Sequence, residues 1–249
     1  MHISFFEEFP TNQNMAKVCF VTWPTTIYIA AKSIQEFESI ISKHKKKNVT
    51  YGYWPVLEKS EGYWLSPFSS TNAIKRVIAE IKSHKNKNKI MWDAEFPFRH
   101  PWFFLRCGRY FRNMFLIKKF FQQNGKYIYT SEYAIRNTVS EFLLKIMGVS
   151  FSPQKYKNKK IIMYYTSMHK SLSHHLLRNI QRLHQTYGEM LHIGLGTIAT
   201  GILGEEPILS PRKLEKDLQN MKKIGIHEVV IFRLGGLNKE YSDVLRKFL

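Results

Sequence analysis

Short apolar segments alternate with longer amphipathic ones along the whole chain. The apolar segments His2–Phe6, Thr26–Ala30, Thr50–Trp54, Lys89–Trp92, Lys126–Thr130, Lys160–Tyr165, Leu191–Leu195 and Glu228–Phe232 have the length and residue types of buried strands. The runs between them place apolar residues at helical spacing, as at Ile34, Phe37, Ile40 and Ile41, or at Ile74, Val77, Ile78 and Ile81. Each run is long enough for about three or four turns and reads as a crossover helix. Punctuation agrees. Ser33 with Glu36 three residues on forms a capping box, Ser210-Pro211 opens a helix with Pro at its first position, and Gly125 and Gly225 stand where helix C-caps are expected.

Eight strand–helix units without a linker, low-complexity stretch or change of composition predict one closed (β/α)8 barrel, a TIM barrel, as a single domain over residues 1–249. Its last helix falls at residues 239–249. An open doubly wound sheet competes with this reading, but such a sheet carries a Gly-rich first turn, and here Phe6-Glu7-Glu8-Phe9-Pro10 follows the first strand.

Composition narrows the class. With 44% hydrophobic and 14% aromatic residues the chain can build a core, which excludes a disordered protein. Cys19 and Cys107 are its only cysteines, so neither a disulfide framework nor a four-cysteine zinc site is available, and a reducing cytoplasm fits best. The N-terminus lacks a basic region followed by an apolar one, and no apolar run approaches the ~20 residues of a membrane span. Lys and Arg number 38 against 19 Asp and Glu, a net charge of +19. Much of that surplus lies in the Lys-Asn-rich segments His44–Asn48 and Ser83–Lys89, read as solvated helix ends, so the expectation is weak, nonspecific polyanion binding. Phe98–Phe121 interleaves bulky rings with cations and contains no acid. It has the composition of an interfacial or nucleic-acid-binding element, but the favoured reading is an oversized fourth crossover helix after an insertion, with its rings packed on the barrel.

In such a barrel the active site lies at the C-terminal ends of the strands. Glu7 and Glu8 end the first, Tyr53-Trp54-Pro55 the third, Trp92-Asp93-Ala94-Glu95 the fourth and Ser131-Glu132-Tyr133 the fifth. Five of only 19 acids thus fall at the mouth, although each is also explicable as a helix cap or salt-bridge partner. Asp93 and Glu95 stand two apart and project the same way. Two neighbouring carboxylates raise each other's proton affinity, so one stays protonated as a general acid. The expected catalytic set is Glu95 as proton donor, Asp93 tuning it, and Glu132 assisting, with Glu8 as the other assisting or substrate-holding acid. Glu7, Tyr53 and Arg233 join the expected substrate-binding set. Trp54, Tyr63, Trp64 and Trp92 sit beside strand ends, where flat rings either stack on sugars or plug the barrel top.

The Asp93-x-Glu95 strand ending resembles the end of the catalytic motif of family 18 chitinases and the acidic pair of family 25 lysozymes. Met163-Tyr164-Tyr165 is similar to the Met-x-Tyr stretch that carries a substrate-orienting tyrosine in the chitinases. The resemblance implies a glycosidase-like barrel with Glu95 as proton donor, Asp93 as its helper and Tyr165 as the orienting tyrosine. The chain departs from the chitinase pattern where Lys89-Ile90-Met91-Trp92 replaces the upstream aspartates and Arg233-Leu234-Gly235-Gly236 replaces the strand-eight Trp.

Three functions follow. The first is carbohydrate hydrolysis on a small-molecule or oligosaccharide ligand, with neither metal nor cofactor. A sugar-phosphate or metal-dependent lyase or isomerase is the second. It would use the glycines of Gly194–Gly201 and of Arg233–Gly236 as a phosphate site, or Glu95, Glu132 and His192 as ligands of a divalent ion. The third is a non-catalytic carbohydrate- or polyanion-binding barrel. His100, His169, His174, His175, His184 and His192 form no strict metal-binding spacing, and no nucleophile elbow or Walker loop is present.

Overall fold

The computed structural model describes residues 1–84, 88–97, 107–134, 137–168 and 173–249. Residues 85–87 of one Lys-Asn-rich segment, residues 98–106 of the aromatic–basic segment, with His100 and Arg106, and His169 lie outside the described residues.

The strands are β1 (His2–Glu7), β2 (Thr25–Ala31), β3 (Val49–Pro55), β4 (Ile90–Asp93), β5 (Ile128–Tyr133), β6 (Lys159–Tyr164), β7 (Leu191–Gly196) and β8 (Glu228–Phe232). Each pairs in parallel with its sequence neighbour, and β1 pairs with β8 from His2↔Glu228 to Phe6↔Phe232, closing the barrel. Helices α1 (Asn12–Ala16), α2 (Ile34–Lys43), α3 (Thr71–Ser83) and α4 (Cys107–Asn124) make the first four crossovers. Helices α5 (Thr138–Ile146) and α6 (Pro153–Tyr156) share the fifth, and α7 (Ser173–Tyr187), α8 (Pro211–Ile224) and α9 (Lys239–Arg246) follow.

The caps are mostly those the sequence encodes. The Glu36 amide donates to Ser33 Oγ at 3.1 Å, and the Glu36 carboxylate accepts from the Lys32 amide at 2.7 Å, one residue outside the ideal capping box. Gly225 terminates α8 in the left-handed region at φ 90°, which a side chain would strain. Gly125 differs from expectation. It opens a short 3-10 turn, Gly125–Tyr127, and it is glycine because a Cβ there would lie 1.6 Å from the Tyr156 carbonyl oxygen. That turn delays β5, so the strand runs to Tyr133 instead of stopping at Thr130, and Glu132 lies within it.

Strand alternation sorts the core into two layers. Phe6, Tyr28, Trp54, Met91, Tyr129, Ile161 and Val230 point inward and fill the barrel. Their neighbours Phe5, Ile27, Ile29, Ile162, Ile193 and Ile231 point outward beneath the helices. Trp92 belongs to the outer layer. Its ring packs on Phe120 and Phe121 of α4 at 5.8 and 5.4 Å, and its indole N–H donates to the Leu65 carbonyl at 3.1 Å. The reading of the 98–121 rings as barrel packing holds for these two phenylalanines, whereas Phe111 and Phe115 face solvent.

Candidate functional site

At the C-terminal end of the barrel lies a cavity of roughly 350 Å³. Four carboxylates reach it, from Glu8, Asp93, Glu95 and Glu206, among walls that include Trp54, Trp64, Met91, Tyr165 and Phe232.

Asp93 and Glu95 leave the end of β4 on the inward side, with Met91 below them. Asp93 is almost wholly buried, and its Oδ1 has no partner among the described residues. Burial above all, then the charges of Glu95 and Glu8, holds its pKa well above the usual carboxylate value, and a hydrogen bond from Ser131 opposes this only in part. Glu95 is pushed up to about 7 by burial, against the hydrogen bond with Asp93 and with Glu8 adding to the rise. The protonated Asp93 therefore donates to Glu95 and favours its charged form. Tyr133 is a second hydrogen-bond partner of Glu95. The Tyr133 hydroxyl accepts from the Phe96 amide at 3.0 Å, and its ring stacks on Phe96, which fixes its direction.

Glu8 enters the mouth from the end of β1. The Tyr63 hydroxyl donates to its Oε1 at 2.8 Å and the Ile202 amide to its Oε2 at 3.0 Å. Tyr63 can do so because the turn before it places both Gly62 and Tyr63 at positive φ, 125° and 60°. Burial pushes Glu8 up to about 7, with those two hydrogen bonds opposing. Glu206 comes from the loop between β7 and α8. Its Oε1 accepts from the Leu203 amide at 3.2 Å, while its Oε2 is buried without a partner among the described residues. Tyr165 stands just beyond β6 with its phenol kept protonated by burial and by the charges of Glu95, Asp93 and Glu8. Its ring lies 5.7 Å from Phe232.

Of the residues expected at the mouth, Glu8, Trp54, Trp64, Asp93, Glu95 and Tyr165 line the cavity. Tyr63 is held to Glu8 by its hydroxyl, and the other five have side chains that the fold directs to the outward side of the barrel wall. Glu7 accepts from Arg233 Nη1 at 3.0 Å and from the Phe9 and Gly235 amides at 2.8 and 2.6 Å. Burial raises the Glu7 pKa and Arg233 counters it. Arg233 is thus committed to Glu7 and to the Thr200 carbonyl, 2.8 Å away. Tyr53 packs on Phe37 of α2. Trp92 lies under α4, as described above. Glu132 is fully buried behind the barrel wall, paired with the equally buried Lys160 at 2.7 Å and accepting from Thr130 and the Phe151 amide. The expected grouping of Glu95, Glu132 and His192 does not form, because His192 lies near the opposite end of the barrel beside Glu228 at 3.6 Å. Among the described residues, no three His, Cys, Asp and Glu side chains are placed to hold a metal ion.

Several amides at and just beyond the Gly-rich ends of β7 and β8 are occupied. Gly235 donates to Glu7, Ile202 to Glu8, Leu203 to Glu206, and Ile198 to the Phe232 carbonyl at 2.7 Å. Three of these four amides are thus taken by the chain's own carboxylates.

Sequence reasoning missed Tyr133 as a partner of Glu95 and Glu206 as a lining acid. The first was accessible, since Tyr129, Ser131 and Tyr133 share one face of β5. Glu206 lies in an irregular loop where no periodicity predicts direction.

No protein-family model matches the chain, and no curated protein matches it in sequence. Its fold is similar to that of solved barrels at very low identity. The PgaB (BpsB) glycoside hydrolase domain from Bordetella bronchiseptica is 10% identical with a TM-score of 0.62, over 99% of this chain and 98% of that one. A chitinase from Chromobacterium violaceum is 9% identical with a TM-score of 0.58, over 99% and 98%. A D-tagatose 3-epimerase-like protein is 12% identical with a TM-score of 0.57, over 100% and 97%. Likeness at this level is likeness of the (β/α)8 barrel itself, which hosts hydrolases and isomerases alike.

Proposed function

We propose that the protein is a carbohydrate-active hydrolase that cleaves a glycosidic bond in an oligosaccharide, acting as one domain over residues 1–249. The observation that carries this reading is the inward-facing Asp93–Glu95 pair, one acid held protonated and the other poised near neutral pH, at the wall of a cavity with aromatic and carboxylate sides. Glycosidic cleavage needs such a split between neighbouring carboxyl groups.

In this mechanism a sugar ring lies against Trp54 and Trp64, and the Tyr165 hydroxyl orients it. Protonated Glu95 gives its proton to the glycosidic oxygen as the bond to the anomeric carbon breaks, with the bonding pair leaving on that oxygen. The carboxylate that forms on Glu95 is stabilised by hydrogen bonds from Asp93 and Tyr133. The carboxyl oxygens of Glu8 and Glu206 offer partial negative charge to the positive charge that develops on the sugar ring. Water finally adds its oxygen to the anomeric carbon and releases a proton to a carboxylate of the mouth. Glu132, held by Lys160 behind the wall, takes no part.

The four carboxyl groups of the mouth also argue for an uncharged or cationic ligand over a sugar phosphate. Among the described residues no helix is long and apolar enough to cross a membrane, and Cys19 is a free, exposed thiol. A free thiol fits a reducing compartment, and on that ground we place the enzyme in the cytoplasm. The test is release of reducing ends from a panel of oligosaccharides, comparing the wild type with Glu95→Gln. Turnover by the wild type and its loss in the variant support the reading, and equal turnover by both rejects it.

A further inference from the structure

Large apolar side chains exposed to water are concentrated on two helices. Phe111 of α4 is 73% exposed and Phe142 of α5 61%, and Phe115, Val139, Leu143 and Ile146 are each at least half exposed. In α5 the spacing of residues 139, 142, 143 and 146 is the stripe that a barrel helix ordinarily turns toward the strands. Here the helix is turned the other way. Its buried residue is Glu141, which accepts from Arg182 at 2.8 Å and Tyr187 at 3.1 Å and pairs with Lys145 at 2.8 Å. The two helices are tied together by the Tyr110 hydroxyl, which donates to the Ile146 carbonyl.

The charge around this stripe has one sign. Arg109, Arg112, Lys118 and Lys119 are exposed on α4, which contains no acid, while Glu141 is neutralised within the protein. A second copy of the chain seated here would bring these four cations against their own equivalents, on bodies that each carry +19. A surface of fixed negative charge with an apolar interior meets both halves of the pattern. Rings and aliphatic side chains enter the acyl boundary, and guanidinium and ammonium groups reach headgroup phosphates. We propose that the α4–α5 face docks the protein peripherally on an anionic lipid bilayer. Both helices follow strands whose ends carry cavity residues, Asp93 on β4 and Tyr133 on β5, so docking holds the mouth near the bilayer surface.

The experiment is co-sedimentation of the full chain with phosphatidylcholine vesicles with and without phosphatidylglycerol, over a salt series, alongside sedimentation velocity without lipid. Binding is expected only with phosphatidylglycerol and should fall steeply with salt. Phe111→Ser with Phe142→Ser, and separately Arg109→Glu with Arg112→Glu, should each weaken it by about tenfold or more, with unchanged melting because all four side chains are exposed. Absence of binding at low salt overturns the proposal, as does binding that neither double variant weakens. A dimer that the Phe111→Ser, Phe142→Ser variant dissolves would assign the face to self-association instead. Retention of a nucleic-acid duplex without retention of vesicles would equally overturn it.

Discussion

Glu95 and Glu132 are carboxylates from adjacent βα units of one barrel, and they have opposite fates. Glu95 leaves the end of β4 on the inward face, where its partners are Asp93 and Tyr133 and no cation lines the cavity among the described residues. Glu132 leaves β5 on the outward face, where Lys160, Thr130 and the Phe151 amide saturate it. The pair of Glu8 and Glu7 on β1 repeats the division, Glu8 toward the cavity and Glu7 toward Arg233. Residue type and position along a strand therefore do not separate a reactive acid from a structural one. The face does, because the outward layer can close around a charge and the mouth must stay open to a ligand.

Substitutions at matched positions test that contrast. Glu95→Gln is expected to lower kcat by about 10²–10⁴-fold with little change in melting temperature, because a proton donor is lost at nearly constant volume. Steady-state kinetics beside a thermal melt checks both halves. Glu132→Gln should do the reverse. It strands Lys160 as an unpaired buried cation, and chemical denaturation should report a loss of about 3–5 kcal/mol while the folded fraction keeps its kcat. If Glu132→Gln abolishes turnover without loss of stability, the division by face is wrong.

Glu8→Gln sharpens the comparison through pH. The folded pKa of Glu8 is raised from 4.5 to about 7, so across that window the native state holds a proton that the unfolded chain has released. Stability falls as pH rises through the window, and the deficit is complete above it. The variant should match the wild type below about pH 4.5 and exceed it by about 3 kcal/mol well above pH 7, measured by denaturation at both ends. The smallest effect is expected from Tyr133→Phe. Removing a hydrogen bond that favours charged Glu95 should move the alkaline limb of the kcat/KM profile upward by up to about one pH unit. Tyr164→Phe, on the outward face of β6, should leave that limb in place.

The barrel was legible because parallel strands covered on both faces read as nearly continuous apolar runs, and each of the eight segments expected on that basis overlaps a strand. The mouth was half legible. Asp93 and Glu95 could be paired by their spacing, and the same parity applied to β1, β3 and β5 separates Glu8, Trp54 and Tyr133 from Glu7, Tyr53 and Glu132. On β5 the expected strand ended at Thr130, whereas the observed strand runs from Ile128 to Tyr133 and carries Ser131, Glu132 and Tyr133 in its alternation. Glu206 and the Tyr63 anchor sit in loops whose course depends on distant backbone. The outward apolar stripe of α5 reads from its sequence as a core face, and its rotation is revealed by the burial of Glu141 against Arg182 and Tyr187.

The pairing of β1 with β8 bears on the order of events at the ribosome. Residues 2–6 are made long before their partners, residues 228–232, and the Glu7–Arg233 pair spans 226 positions. Until then β1 is an open edge on a growing sheet, and the cavity lacks the Phe232 wall. Closure is a late, long-range event of the kind that makes folding slow and exposes unpaired edges to aggregation. Translation arrested before residue 228 would therefore leave a chain holding both acids of β4 but no sealed cavity around them.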